Sequence, residues 1–96
     1  MKKIMFPLVA SLVLGLAAPV GAAECYADYK AKRDNPLKLH YGVAQISGVC
    51  SKPSAVAELR ARLAANGWIL LNVLSVFDTG GLAERSDSAG QYFLRF

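Results

Sequence analysis

Apolar and polar residues follow a different pattern in each segment of the chain, and each pattern predicts one element. The longest apolar run beyond the amino-terminal segment follows Asn66-Gly67 and covers residues 68–77. It is rich in the β-branched and aromatic residues that favour a pleated sheet, and it is too short to cross a bilayer as a helix. We predict that residues 68–77 form the central strand of a small sheet. Asn72 and Ser75 interrupt this run and are expected on its opposite faces.

Two earlier segments, residues 25–32 and 37–43, alternate between apolar and polar side chains. A period of two is typical of half-buried strands. Asp34-Asn35-Pro36 between them favours a turn, so the segments form a predicted hairpin with Tyr29 roughly opposite Tyr41. On that register Asp28 and His40 are expected to be neighbours on an exposed face.

Residues 51–66 carry the signals of a helix, and residues 91–96 those of a last strand. Ser51-Lys52-Pro53-Ser54 suits a helix start, Leu59 and Leu63 belong to a stripe facing the sheet, and Asn66-Gly67 predicts the end. Residues 91–96 alternate again. The predicted order is β-β-α-β-β, an α+β fold with a small, mainly antiparallel four-stranded sheet, one helix on one face and one disulfide.

The first 23 residues have the order of a secretory signal peptide. Lys2 and Lys3 are followed by an apolar stretch, and Gly21-Ala22-Ala23 offers the small residues of a cleavage site. An uncleaved membrane anchor is the alternative, but Pro19 and the small-residue exit favour cleavage after Ala23. We therefore predict a periplasmic or secreted protein with a single domain over residues 24–96 and no stable membrane anchor.

Charge and cysteine content restrict the function further. The net charge of +4 becomes +2 for residues 24–96, which hold nine Lys/Arg and seven Asp/Glu. This balance is too weakly basic to indicate nucleic-acid binding. Cys25 and Cys50 predict one disulfide in an oxidising compartment, which would contribute about 3 kcal/mol. A metal pair or redox couple is the alternative, but the spacing is not CxxC.

His40 is the sole histidine of the chain, so a general-base or metal hypothesis must use it. The chain has no Gly-x-Ser-x-Gly segment for a serine nucleophile, and the His40 spacing to other ligand types is unlike that of zinc sites. We expect a surface histidine, no catalytic residue, no metal and no cofactor. A very small enzyme using His40 remains the alternative.

Residues 78–90 are long for a connection between strands, and connections of this length are usually functional or disordered. We predict a recognition loop with Gly80, Gly81, Leu82 and Arg85 as its binding residues and Leu82 as an apolar anchor. A disordered connector is the alternative. The cations near Lys30 and Lys32, together with those of the helix, suggest either a basic surface for anionic lipid or cell-wall polymer, or a solvated face.

Three resemblances follow from these segments. Residues 63–70, with their Gly-Trp-x-Leu step, and the closing Tyr-Phe-Leu-Arg-Phe resemble a family of short bacterial domains of unknown function, which implies a β-β-α-β-β sheet. The start at Cys25 also resembles small exported proteins of Gram-negative bacteria. Residues 41–46 and 57–67 resemble one strand and one helix of the sporulation-related peptidoglycan-binding repeat, which implies glycan binding.

The combined expectation is a non-enzymatic module that contacts a protein or an envelope component through residues 78–90. A peptidoglycan or other glycan binder is one alternative, and an inhibitor of a secreted enzyme is another. The uncovered face of the sheet would also allow a dimer.

Overall fold

Three strands, one long helix and one short helix make up residues 24–96, the range that this computed structural model describes. The elements are β1 Cys25–Arg33, β2 Lys38–Ile46, α1 Lys52–Ala64, β3 Ile69–Phe77 and α2 Ala83–Ala89, with 3-10 turns at Thr79–Gly81 and Gly90–Tyr92. The predicted signal peptide lies outside the described residues. Within the described range, no helix has the length and apolar character needed to cross a membrane. The α+β class with an antiparallel sheet is confirmed.

The sheet has the order β2-β1-β3, so β1 and not β3 lies in the middle. The prediction that residues 68–77 form the central strand is wrong. β1 pairs antiparallel with both neighbours and is buried on both faces at its start, where Ala27, Asp28 and Tyr29 are at most 6% exposed. β3 is apolar although it lies at an edge, and Ile69 and Leu71 are therefore about half exposed.

The register of the β1–β2 hairpin differs by one residue from the predicted one. Four residues, 34–37, connect the strands, and Tyr29 lies opposite Gly42 instead of Tyr41. A shift of one residue exchanges the faces of a strand. His40 therefore lies opposite Ala31, while Asp28 lies opposite Val43. The expectation that Asp28 and His40 are neighbours on one exposed face is wrong, because they lie on opposite faces of the sheet.

Helix α1 packs on the face of β1 that carries Cys25, Ala27, Tyr29 and Ala31, which we call the helix face. Opposite these residues in β2 lie two small residues: Ala44 belongs to the same core, and Gly42 leaves room for the Tyr29 ring. The core here includes, besides residues of β1, Ala44, Ile46, Ala55, Leu59, Leu63, Trp68 and Val73. The predicted helix is confirmed.

The ends of α1 also follow the sequence signals. The Ser51 hydroxyl accepts a hydrogen bond from the Ser54 N–H, and a proline lies in the first turn. Gly67 has a φ of 81°, a left-handed conformation that favours glycine. The chain therefore leaves the helix where Asn66-Gly67 predicts its end.

The predicted fourth strand, residues 91–96, does not form. A 3-10 turn occupies Gly90–Tyr92, a single parallel bridge joins Phe93 to Val43, and Leu94 has a φ of 57°. The alternating pattern has a different cause. The segment passes around the free edge of β2, so that Phe96 packs on the helix-face core while Phe93 packs on the cluster of the other face.

Residues 78–90, predicted as a loop, are mostly helical. The Asp78 carboxylate accepts a hydrogen bond from the Gly80 N–H and begins the first turn. Helix α2 follows and places Ala89 in a second, smaller core with Tyr26 and Val43. Seven residues are too few to show a helical period in the sequence.

The predicted disulfide is confirmed. Cys25 and Cys50 are bonded, with their Cα atoms 5.7 Å apart. The bond joins the start of the central strand to the segment before α1. It thereby ties the helix to the sheet end opposite the hairpin turn.

We expect Gly42→Ala to destabilise the protein. A Cβ at this position would lie 2.6 Å from Cζ of Tyr29. The Tyr29 ring packs over the glycine and is fully buried, so it cannot move away into solvent. Insertion into so tight a site costs about 1–3 kcal/mol. Urea unfolding checks this, and Tyr29→Leu is the companion change. If the ring is the obstacle, the cost of Gly42→Ala becomes smaller in the Tyr29→Leu background; an unchanged cost contradicts this account.

Candidate binding surface and buried polar networks

His40 lies in an aromatic cage on the helix face and not on the surface. Its ring stacks on Tyr92 with centroids 3.8 Å apart and meets the edge of Trp68 at 4.3 Å. The Tyr29 hydroxyl and His40 Nε2 share a hydrogen bond of 2.9 Å. The side chain is only 7% exposed, and its Nδ1 atom is without a partner among residues 24–96. The predicted surface position of His40 is wrong.

The cage keeps His40 neutral. Burial, together with the nearby cation of Arg33, lowers the pKa of His40 to about 4. Burial also raises the pKa of Tyr29 to about 12. Neither group is charged near neutral pH, and both rings serve as core side chains.

Asp28 is the centre of a polar network on the opposite face. It is 6% exposed and accepts hydrogen bonds from Ser75 Oγ at 2.6 Å, from the Tyr41 hydroxyl at 2.8 Å and from Arg85 Nε at 3.1 Å. Burial alone raises the pKa of Asp28, but these donors outweigh it and hold the pKa below its usual value. Burial and the bond to Asp28 raise the pKa of Tyr41 to about 12.

Arg85 joins this network to α2. Its guanidinium lies 4.0 Å from the centroid of the Phe77 ring and donates a hydrogen bond to the main-chain oxygen of Gly81. The ion pair with Asp28 thus holds the short helix on the sheet. A buried carboxylate with three donors is stable only while its partners remain in place.

Glu58 is the centre of a second polar cluster, which lies on α1. Its carboxylate accepts hydrogen bonds from the N–H groups of Ser47 and Gly48, from the Ser47 hydroxyl and from Arg62. Burial acts to raise the pKa of Glu58, but the hydrogen bonds dominate and lower it to about 2. Arg62 also binds the main-chain oxygens of Gln45 and Phe96. This cluster fastens α1 to the end of β2 and to the last residue.

The four residues predicted to bind a partner lie in the segment that packs against the sheet. Leu82 is partly buried against the Tyr26–Val43–Ala89 cluster, and Arg85 is directed at Asp28. Gly81 lies beside the Phe77 ring, while Gly80 is exposed. The four residues are neighbours along the chain, but the side chains of Leu82 and Arg85 make contacts within the domain. Their role in binding stays a prediction.

Strand β3 contains two extra residues relative to β1. The pairing passes from Ser75 to Val73 and from Asn72 to Leu70, so Leu74 and Leu71 are bulged. Asn72 and Ser75 consequently lie opposite Lys30 and Asp28, on the same face of the sheet. Their predicted placement on opposite faces is wrong because the bulges break the period of two.

The half of this face near the hairpin turn is covered by no element of the described chain. Leu39, Lys32 and Ile69 lie side by side across the three strands, and next to them lie Tyr41 and Lys30. Leu71 borders a groove of about 260 Å³ with Lys30, Leu39 and Tyr41. We call Lys30, Lys32, Leu39, Tyr41, Ile69 and Leu71 the open patch. Its aliphatic side chains are strongly exposed: Leu39 is 66% exposed, Ile69 51% and Leu71 49%.

The sequence did not single out the open patch: with His40 expected on the exposed face, the alternation of residues 37–43 predicts Leu39 and Tyr41 on the buried side of their strand. A signal was nevertheless present. Ala27 and Ala31 in one strand and Gly42 and Ala44 in the other are the small residues that a closely packed helix requires. Their positions indicate that the face of Gly42 and Ala44, and not that of Leu39, lies under α1.

The structure offers few candidate metal ligands in combination. Among residues 24–96, no group of three or more His, Cys, Asp or Glu side chains is placed to hold a metal ion.

Comparison with protein-family models, with curated proteins and with solved structures found no match to the chain.

We expect acidification to destabilise the protein through His40. The unfolded state takes up a proton near pH 6.5 and the folded state only near pH 4, so the stability present above pH 6.5 is lost as the pH falls to 4. The loss is about 3 kcal/mol. Urea unfolding at several pH values measures it. His40→Phe should flatten the curve in this window, and an equally steep curve for that variant contradicts the assignment.

We expect Arg85→Ala to destabilise the protein by about 3 kcal/mol, because it leaves the buried Asp28 carboxylate without its cation. Arg60→Ala, which removes an exposed arginine of α1, is the matched control and should change stability by less than about 0.5 kcal/mol. In the double variant Asp28→Asn/Arg85→Ala the loss should be smaller than the sum of the single losses. Additive losses would show that the two side chains are not coupled.

Proposed function

We propose that the chain is a non-enzymatic, exported accessory module that contacts a protein or an envelope component through the open patch. The observation that carries this proposal is the exposure of Leu39, Ile69 and Leu71 on one uncovered half of a sheet face. Several large apolar side chains exposed on one small area are typical of an interaction site. The predicted contact through Gly80 and Gly81 remains a second candidate surface.

Export to the periplasm or beyond is part of the proposal. The disulfide between Cys25 and Cys50 supports it, since such bonds persist in oxidising compartments. The signal-peptide pattern of residues 1–23 supports it independently. A domain of this size buries a limited core, and the disulfide compensates for that.

The two buried networks favour a binding role over catalysis. His40 is neutral and enclosed by Tyr29, Trp68 and Tyr92, and the Asp28 carboxylate is saturated with donors. A general base must reach the proton that it abstracts. Trp68 does not support the glycan-binding alternative, because it is only 3% exposed and its ring cannot offer a flat aromatic surface to a sugar.

Site-specific photo-crosslinking in the producing cell tests the proposal. Benzoylphenylalanine replaces Leu39 or Leu71 in the full chain, and Ala64, exposed on α1, is the control position. We expect an adduct from both patch positions and none from Ala64. Mass spectrometry then identifies the captured species and the amino terminus of the product.

An absence of adducts at both patch positions, or the same adducts at Ala64, would overturn the proposal. A product that still begins at Met1 would overturn its export part. A further variant carries benzoylphenylalanine at Gly80, and adducts from this variant with none from Leu39 or Leu71 would move the contact surface to residues 78–90.

A further inference from the structure

We propose that the open patch, together with the hairpin turn beside it, docks on an anionic lipid bilayer. Leu37 and Leu39 enter the headgroup region, and Lys30 and Lys32 contact lipid phosphates. This inference rests on the proposed function, because it assigns a partner to the same surface.

The first argument is the distribution of charge. Residues 30–39 hold four cations and one carboxylate, a net charge of +3, whereas the whole range 24–96 has +2. The remainder of the domain is therefore at −1. All the excess positive charge therefore lies at the hairpin-turn end of the sheet. A negatively charged surface would orient the domain with this end toward it.

The second argument is the position of the apolar side chains among these cations. Leu37 lies in the turn and is 63% exposed, and Leu39 begins the open patch with 66%. Lys32 lies directly between Leu39 and Ile69 in the sheet register. Exposed leucines among lysines match a membrane interface, where apolar side chains meet the acyl boundary and amines meet phosphates.

The same charges disfavour a second copy of the chain as the occupant. A symmetric dimer through the open patch would bring the lysines of both copies into one interface. Like charges placed together in an interface cost several kcal/mol in general. A bilayer with anionic headgroups instead supplies the complementary charge over the whole patch.

Vesicle co-sedimentation tests the inference with protein recovered after expression of the full chain. One set of vesicles contains phosphatidylglycerol, and the other is phosphatidylcholine alone. The variants are Lys30→Gln/Lys32→Gln and Leu37→Ser/Leu39→Ser. Arg60→Gln and Val49→Ser are matched controls: Arg60 is an exposed cation on α1, and Val49 is 72% exposed at the opposite end of the sheet. Circular dichroism checks that each variant is folded.

We expect binding to the phosphatidylglycerol vesicles that weakens with added salt, and at least tenfold weaker binding to phosphatidylcholine. The lysine pair should reduce the affinity about 25-fold, at about fivefold for each lysine, and the leucine pair about tenfold or more. The controls should bind like the unchanged protein.

Equal binding to both vesicle types, or equal losses in the controls, would overturn the inference. No vesicle binding, combined with a protein adduct from Leu39 in the crosslinking experiment, would leave the proposed function standing and reject the lipid partner. A dimer in sedimentation equilibrium that Leu37→Ser/Leu39→Ser dissociates would likewise reject it in favour of self-association.

Discussion

The pairing of Tyr29 with Gly42 is the contact on which the arrangement of the two faces depends. The four residues of the turn set this register, and the missing side chain of Gly42 gives the tyrosine ring its space. In this register His40 lies on the helix face, against Trp68 and Tyr92, and Asp28 is directed toward α2. A register shifted by one residue would exchange these faces and bury a different set of side chains.

Two small hydrophobic cores, one on each face of β1, stabilise the domain. The larger lies under α1 and the smaller under α2. Both helices are also fastened by charged side chains, since Glu58 binds the turn after β2 and Arg85 binds Asp28. The disulfide adds a covalent link at the end away from the hairpin turn. A domain with so little interior depends on such specific links.

The open patch is a consequence of the short second helix. With seven residues, α2 covers only the end of its face that carries Tyr26 and Val43. The other end, toward Lys32 and Leu39, has no cover within the described residues. The apolar edge strand extends this uncovered area, because its two bulges place Leu71 beside the groove. The surface that we assign to binding is thus the part of the sheet that neither helix covers.

Local pattern was sufficient for some features, and tertiary pairing decided others. The sequence determined the helix Lys52–Ala64 with its caps, the existence of three strands and the turn, and the partnership of the cysteines, because each depends on spacing or on local conformation. It did not determine which strand is central, which face Leu39 occupies, or that the alternation of residues 91–96 comes from passing around an edge. Periodicity separates two sides of a segment, but register, bulges and the covering element decide which side is inside.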